Sequence, residues 1–327
     1  MAPRHSRRAT FGALAVFLAA TLSSCAPSHD VSVRDYVDRA LAGLNEGYYA
    51  DSPEWKSAVT DALPDLYSAD TVPGTYALLS HLTKVAGGHH SRFSRPADAA
   101  AWEKPYPPGE VPVPKAHYDG AVATVVVPGF SSAHQDEIDV YLTAAAEIFA
   151  SNHASSTCGW VIDVSTNTGG DPWVMLTALS PLLDNGPVVM FRDRYGTTSE
   201  VSVRANTVSW GQEVELELPA ALTKLTQRKI AIVQSGVTAS AGEWVVAAFT
   251  GQEGAETFGS DTGGFTTVND GFELPDGAVV TLSFAVLGDR EGNFFDGPLG
   301  PGTTVGHGEG SAQSVAREWA ARQCANP

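Results

Sequence analysis

The sequence predicts a mixed α/β fold: an N-terminal helical subdomain, then a sheet whose strands alternate with helices, then an antiparallel ribbon. Three observations carry this. Residues 33–86 place apolar side chains at spacings of three and four, the period of amphipathic helices. From Ala121 the pattern changes to short β-branched runs separated by helical stretches, as crossover connections in an α/β sheet require. Residues 266–295 then read as an antiparallel ribbon, with Asp276-Gly277 as its turn.

Taken in order, the chain opens on Arg4, Arg7 and Arg8, followed by the apolar run Phe11 to Leu22 and by Leu22-Ser23-Ser24-Cys25. About a dozen apolar residues is too short to span a bilayer and has the length of a signal-peptide core. Residues 1–24 are therefore expected to be removed on export. A small-residue site ending in cysteine resembles the bacterial lipobox, in which Cys25 becomes the acylated first residue and anchors the chain to the cell membrane. Two acyl chains, at about 0.8 kcal/mol per buried methylene, hold such an anchor stably. The alternative is an ordinary signal peptide with an incidental cysteine.

Residues 25–95 form a short tether and the helical subdomain, with Pro53, Pro64 and Pro73 marking helix starts or breaks. Gly87-Gly88-His89-His90-Ser91 ends it. Residues 96–118 carry six prolines between Pro96 and Pro114 and are expected to be a loop or extended strap rather than a regular element. Residues 119–327 make the core. Its expected strands are 121–128, 159–165 and 229–235, and its expected helices are 137–151, 173–183 and 241–250. An amphipathic helix over 311–323 closes the chain.

Charge and composition narrow the function. The formal charge is −17 and becomes −20 once the three arginines of the leader are lost. That acidity argues against nucleic acid and anionic membrane surfaces as partners, and mildly favours cationic substrates. No phosphate-cradling or dinucleotide fingerprint is present, and the HGEG segment at 307–310 has no metal-ligand partner at useful spacing. No cofactor is expected. If Cys25 is acylated, Cys158 and Cys324 remain as a pair in an oxidising compartment. They are either a disulfide tying the C-terminal tail to the strand near Cys158, or a buried thiol and a free one.

The chemistry-bearing segment is Ser235-Gly-Val-Thr-Ala-Ser240-Ala-Gly-Glu243-Trp244, where a buried strand runs through small residues into a helix. A side chain at such a turn is exposed at the carboxyl edge of the sheet, beside free helix N–H groups that can hold an oxyanion. Alone, the segment reads first as an N-cap and only second as a nucleophile, because Glu243 stands three residues after Ser240 at capping-box spacing.

Five segments in order then resemble the S41 peptidase family, which includes C-terminal processing peptidases, the tricorn core and nisin-resistance-type proteins. They are Val161-Ile-Asp-Val-Ser-Thr-Asn167-Thr-Gly169-Gly170, VTASAGEW around Ser240, Gly259-Ser-Asp-Thr262-Gly-Gly264-Phe265-Thr-Thr, Leu274-Pro-Asp-Gly277 and Asp296-Gly-Pro-Leu-Gly-Pro301. The resemblance implies a ClpP/crotonase-like protease core and a serine peptidase with Ser240 as nucleophile. One branch of the family carries its base as a lysine 25 residues further on. That position is Phe265, and no lysine follows Lys229. The other branch uses a histidine at the end of the helical region, which His90 matches, with His89 as the alternative. An imidazole is a competent base at neutral pH without the desolvation a lysine needs.

The resemblance further implies an orienting acid at Asp296, which is either that orienter or a turn residue before Gly297; Asp171 is a weaker candidate. It implies an oxyanion hole from the N–H of Ala241 with Gly169 or Gly170. Ser165 replaces the family's strand arginine, and Asp163 and Asn167 are expected to brace the turn. Fewer than about 30 residues separate Phe93 from the strand at Val122, too few for the PDZ module many relatives carry. The expected substrate is a small peptide or exported protein, and the rival reading is a catalytically inactive peptide-binding lipoprotein on the same scaffold.

Overall fold

The computed structural model describes residues 31–325 apart from 212, 226–227 and 307–309. The leader and Cys25 lie outside the described residues, as do His307, Gly308 and Glu309. Three helices open the chain: α1 (Val33–Leu44), α2 (Pro53–Ser68) and α3 (Val72–Gly87). Ser32 and Ser52 cap the first two by accepting from Asp35 N and Trp55 N. Gly88, at φ 81°, ends α3 in a conformation that favours glycine. The chain then turns through His89 and His90 into β1 (Arg92–Ser94).

The remaining elements are α4 (Pro96–Trp102), β2 (Lys115–Asp119), β3 (Val122–Val126), α5 (Gln135–Ala150), α6 (Asn152–Ser156), β4 (Gly159–Asp163) and α7 (Pro172–Leu179). After them come β5 (Gly186–Asp193), β6 (Thr198–Arg204), β7 (Thr207–Trp210), β8 (Glu213–Glu217), β9 (Lys229–Gln234) and α8 (Ala241–Phe249). The chain closes with β10 (Ala255–Gly259), β11 (Thr267–Glu273), β12 (Val279–Gly288), β13 (Thr303–Thr304) and α9 (Ala312–Ala325).

Two sheets result. One has the order β13-β10-β9-β4-β3-β2 and is parallel except for β2, which pairs antiparallel with β3 at its edge. The other is antiparallel, ordered β1-β12-β5-β6-β7-β8, with β11 also paired to β12. Strand alternation divides the parallel sheet's side chains. Trp160, Ile162, Ile230 and Ile232 enter the main core with Val245, Phe249 and Leu176, while Val161, Ala231 and Val233 pack with Ala316 and Ala320 of α9. Cys158, just before β4, is disulfide-bonded to Cys324 of α9 across a sequence separation of 166.

The structure corrects the expected strap. Residues 96–102 are helical, because Pro96 sits in the first turn, where its missing N–H costs nothing, and Ala99-Ala100-Ala101 favour helix. Residues from Lys115 pair with β3 in register Lys115↔Val126. The helix expected over 173–183 ends at Leu179. Four strands between 186 and 217, and β10, went unanticipated in the sequence.

Candidate active site

The candidate nucleophile sits where the parallel sheet hands its chain to a helix. β9 ends at Gln234, and the following turn is clamped to the loop after β4. Ser235 Oγ donates to Ser165 O (2.5 Å), Thr238 Oγ1 to Val164 O (2.8 Å) and Ala239 N to Asn167 O (3.0 Å). Ser240 then opens α8 with φ 52° and ψ −119°, a backbone conformation unfavourable for any residue with a Cβ. Glu243 holds it there. Its Oε2 accepts the Ser240 N–H (2.8 Å), while Oε1 accepts Gly264 N–H (2.8 Å) and Thr262 Oγ1 (2.5 Å). Glu243 is fully buried, and that burial raises its pKa against the pull of these donors.

The Ser240 hydroxyl is turned to His90, with Oγ 3.2 Å from Nε2. His90 Nδ1 lies 2.9 Å from Thr267 Oγ1. Both contacts follow from strand pairing: β1 joins β12 directly after His90, and β11, which begins at Thr267, lies on β12 as well. Phe265 packs edge-on against His90, ring centroids 5.3 Å apart, and its ring lies 4.9 Å from that of His89. Burial, with His89 adding to it, lowers the His90 pKa to about 4, so the imidazole is neutral at neutral pH. His89 is exposed and its Nε2 faces Gly264 O (3.2 Å), not the serine.

Three sequence expectations change. Asp296 lines the cleft beside His90 together with Tyr49 and Thr266, but the orienting position at Nδ1 belongs to Thr267, which the β11–β12 register brings closer than the loop aspartate. Asp171 is the N-cap of α7, accepting from Trp173 N (2.8 Å) and Val174 N (3.2 Å), which commits its carboxylate to the helix. Gly169 N donates to Asn167 Oδ1 (2.8 Å), so its N–H is not free for an oxyanion. A Cβ on Gly169 would lie 2.8 Å from Ser240 Cβ, so its lack of a side chain gives the serine room. Gly170 and Ala241 keep N–H groups with no protein acceptor among the described residues.

Asn167, fully buried, also donates to Val127 O (3.0 Å) and braces the turn. Ser165, standing where an arginine was expected, bonds Asp163 Oδ1 (2.6 Å) and receives Gln313 Nε2 (3.2 Å) from α9. Thr267, Ser283 and Asn269 were not singled out in the sequence; the one available signal was the Thr266-Thr267 pair that follows Phe265. No group of three or more His, Cys, Asp or Glu residues among the described ones is arranged to hold a metal ion.

Comparison with known proteins identifies the family and the fold. The chain is 27% identical over 296 residues to the nisin-resistance protein of Lactococcus lactis subsp. lactis, covering 88% of this chain and 87% of that one. A lipoprotein from Streptococcus agalactiae shares the fold with a TM-score of 0.76 at 21% identity, over 90% of this chain and 97% of that one. The photosystem II D1 C-terminal processing protease shares it at a TM-score of 0.57 and 13% identity, over 84% and 93%. The profile of peptidase family S41 matches residues 121–304, which hold β3 to β13 and with them Ser240, Glu243 and Thr267, and the chain belongs to that family.

Proposed function

We propose that this protein is a serine endopeptidase that hydrolyses peptide bonds by a Ser–His mechanism. The observation that carries the reading is the 3.2 Å contact between Ser240 Oγ and His90 Nε2 at the N-terminus of α8. In the first step Ser240 Oγ attacks the substrate carbonyl carbon and its proton passes to His90 Nε2. The N–H groups of Ala241 and Gly170 receive the oxyanion, aided by the positive end of the helix. Collapse of the tetrahedral intermediate breaks the C–N bond, and His90 returns the proton to the leaving amine, giving an acyl-enzyme on Ser240. Water, deprotonated by His90, then attacks the ester and frees the serine. No step needs a metal or an organic cofactor.

The proposed setting is the outer face of the cell membrane, with Cys25 acylated. The lipobox-like sequence supports this, and a related fold belongs to a lipoprotein. Among the described residues no helix is long and apolar enough to cross a membrane. The proposed substrates are small, cationic, exported peptides. Between β1 and β3 lie only α4, β2 and connecting chain, which leaves no module to select protein C-termini. The chain's acidity favours cationic peptides, and its relative in Lactococcus is named for resistance to nisin.

A fluorophosphonate probe tests the chemistry. Wild-type protein is expected to be labelled and Ser240→Ala is not; equal labelling of the two, or none of either, refutes the peptidase reading in favour of a peptide-binding lipoprotein. Cys25→Ala is expected to move the protein from the membrane fraction to the medium.

A further inference from the structure

His90 has no carboxylate behind it, yet its tautomer is not left open. The hydrogen-bond directions can be read from the far end of a chain of neutral side chains. Asn269 Oδ1 can only accept, so at 2.6 Å it takes the single proton of Ser283 Oγ. Ser283 must then act as acceptor in its remaining contacts, with Thr267 Oγ1 (2.8 Å) and Ser91 Oγ (3.2 Å). Ser91 has given its own proton to Ser283 Oγ and accepts the Ser283 N–H (2.9 Å) in return. Thr267, having donated to Ser283, has no proton left for His90. At 2.9 Å it can only accept one from Nδ1. The neutral imidazole therefore carries its proton on Nδ1, and the Nε2 lone pair faces Ser240 Oγ.

We infer that Thr267, Ser283 and Asn269 form a one-directional hydrogen-bond chain that fixes His90 in the Nδ1–H tautomer, the place a carboxylate fills in other serine hydrolases. These are positioning residues: none touches the reacting atoms, and all act through His90. Ser283 is fully buried, so each of its bonds is protected from competing water. Its register opposite Asn269, next to the β11 irregularity at Val268/Asn269, sets the two side chains face to face. The chain also accounts for the position of Asp296. With Thr267 at Nδ1, Asp296 is not required as an orienter.

This inference rests on the Ser240–His90 reading, and the experiment separates the two. In the 15N-histidine-labelled full chain, with the His90 signals assigned by their loss in His90→Gln, the wild type at pH 7 is expected to show a protonated Nδ1 and an unprotonated Nε2. Thr267→Val removes the hydroxyl acceptor with little change of shape and leaves the backbone at 267 as the remaining partner of the ring. It is expected to shift His90 towards the Nε2–H tautomer and to slow fluorophosphonate labelling on the order of 10²-fold, while Thr267→Ser restores both. Asn269→Asp, still an acceptor, is expected to keep the wild-type tautomer. A wild-type His90 protonated on Nε2 overturns the inference without need of any variant, and so does Thr267→Val that keeps the Nδ1 proton and labels within twofold of wild type. If the tautomer responds to Thr267→Val but wild-type protein is never labelled, the hydrogen-bond chain stands and the peptidase reading falls.

Discussion

Glu243→Gln tests both roles open to the segment around Ser240, because it alters the cap without removing the serine or the histidine. Each carboxylate oxygen of Glu243 receives one backbone N–H: Ser240 N on Oε2 and Gly264 N on Oε1, both at 2.8 Å. A glutamine in either orientation sets its amide nitrogen against one of these donors, and the site is fully buried, so no water substitutes. A lost hydrogen bond to a charged group with a stranded buried N–H costs about 2 kcal/mol. For a chain of this size, at about 2.1 cal/mol/K of unfolding entropy per residue, that lowers Tm by roughly 3 °C. The functional effect should be larger in proportion. Ser240 is held at φ 52° partly by this bond, and a shift of the nucleophile by about 1 Å costs on the order of 10²-fold in rate. Thermal unfolding and the rate of fluorophosphonate labelling measure the two effects. If Glu243→Gln melts and labels like the wild type, the carboxylate neither braces the turn nor places the serine.

Four further outcomes are expected. Protonated His90 cannot take the serine proton, so labelling should fall as pH drops through about 4 and stay near its plateau at pH 6; an acid limb at 6.5 refutes the burial of the base. The groups around His90 are His89 and Lys84, which oppose its protonation, and Asp296, which lines the same cleft. Because the folded pKa lies below the unfolded value, the unfolded chain binds the proton first; this group's contribution to stability is complete above about 6.5 and is lost as pH falls towards 4, measurable in urea titrations at several pH values. Phe265→Ala uncovers the imidazole and should move the acid limb upward, whereas an unchanged limb means that the ring does not desolvate it. Cys324→Ser opens a crosslink spanning 166 residues, for which loop-closure entropy sets a loss of about 5 kcal/mol as a ceiling; an unchanged urea midpoint under oxidising conditions excludes a stabilising disulfide.

What the sequence made legible depended on how local the cause was. The helical subdomain and the strands at β3, β4 and β9 were readable because each carries its own periodicity within one short window. Ser240 was readable as a position, a strand running through small residues into a helix, though only the order of five segments distinguished a nucleophile from a cap. The strands β5 to β8 were missed for a physical reason. They are antiparallel and only partly covered: β6 and β7 bury alternate positions such as Val201, Val203 and Val208, and the apolar run Val188 to Phe191 in β5 is too short to be told from a buried helical turn. Thr267, Ser283 and Asn269 were unreadable for a stronger one: Thr, Ser and Asn acquire a role only when pairing of β11 with β12 sets them side by side, and register is not a property of any one segment.

The features that looked like defects in the sequence belong to one arrangement. Phe265 stands where a lysine base was sought, and its ring instead packs against His90. Burial of the imidazole by such neighbours keeps it uncharged, so at rest it needs no counter-charge. What a buried neutral histidine does need is a decision about which nitrogen holds the proton, and a hydroxyl whose own proton is already committed can make that decision without adding a second buried charge. The difference from a carboxylate appears later in the reaction. In the proposed mechanism, when His90 holds the serine's proton, Thr267 would meet the imidazolium only as a neutral acceptor, and the opposite charge would be the oxyanion forming at the N-terminus of α8. Acylation in that mechanism would therefore depend on the N–H groups of Ala241 and Gly170 as well as on the residue behind the base.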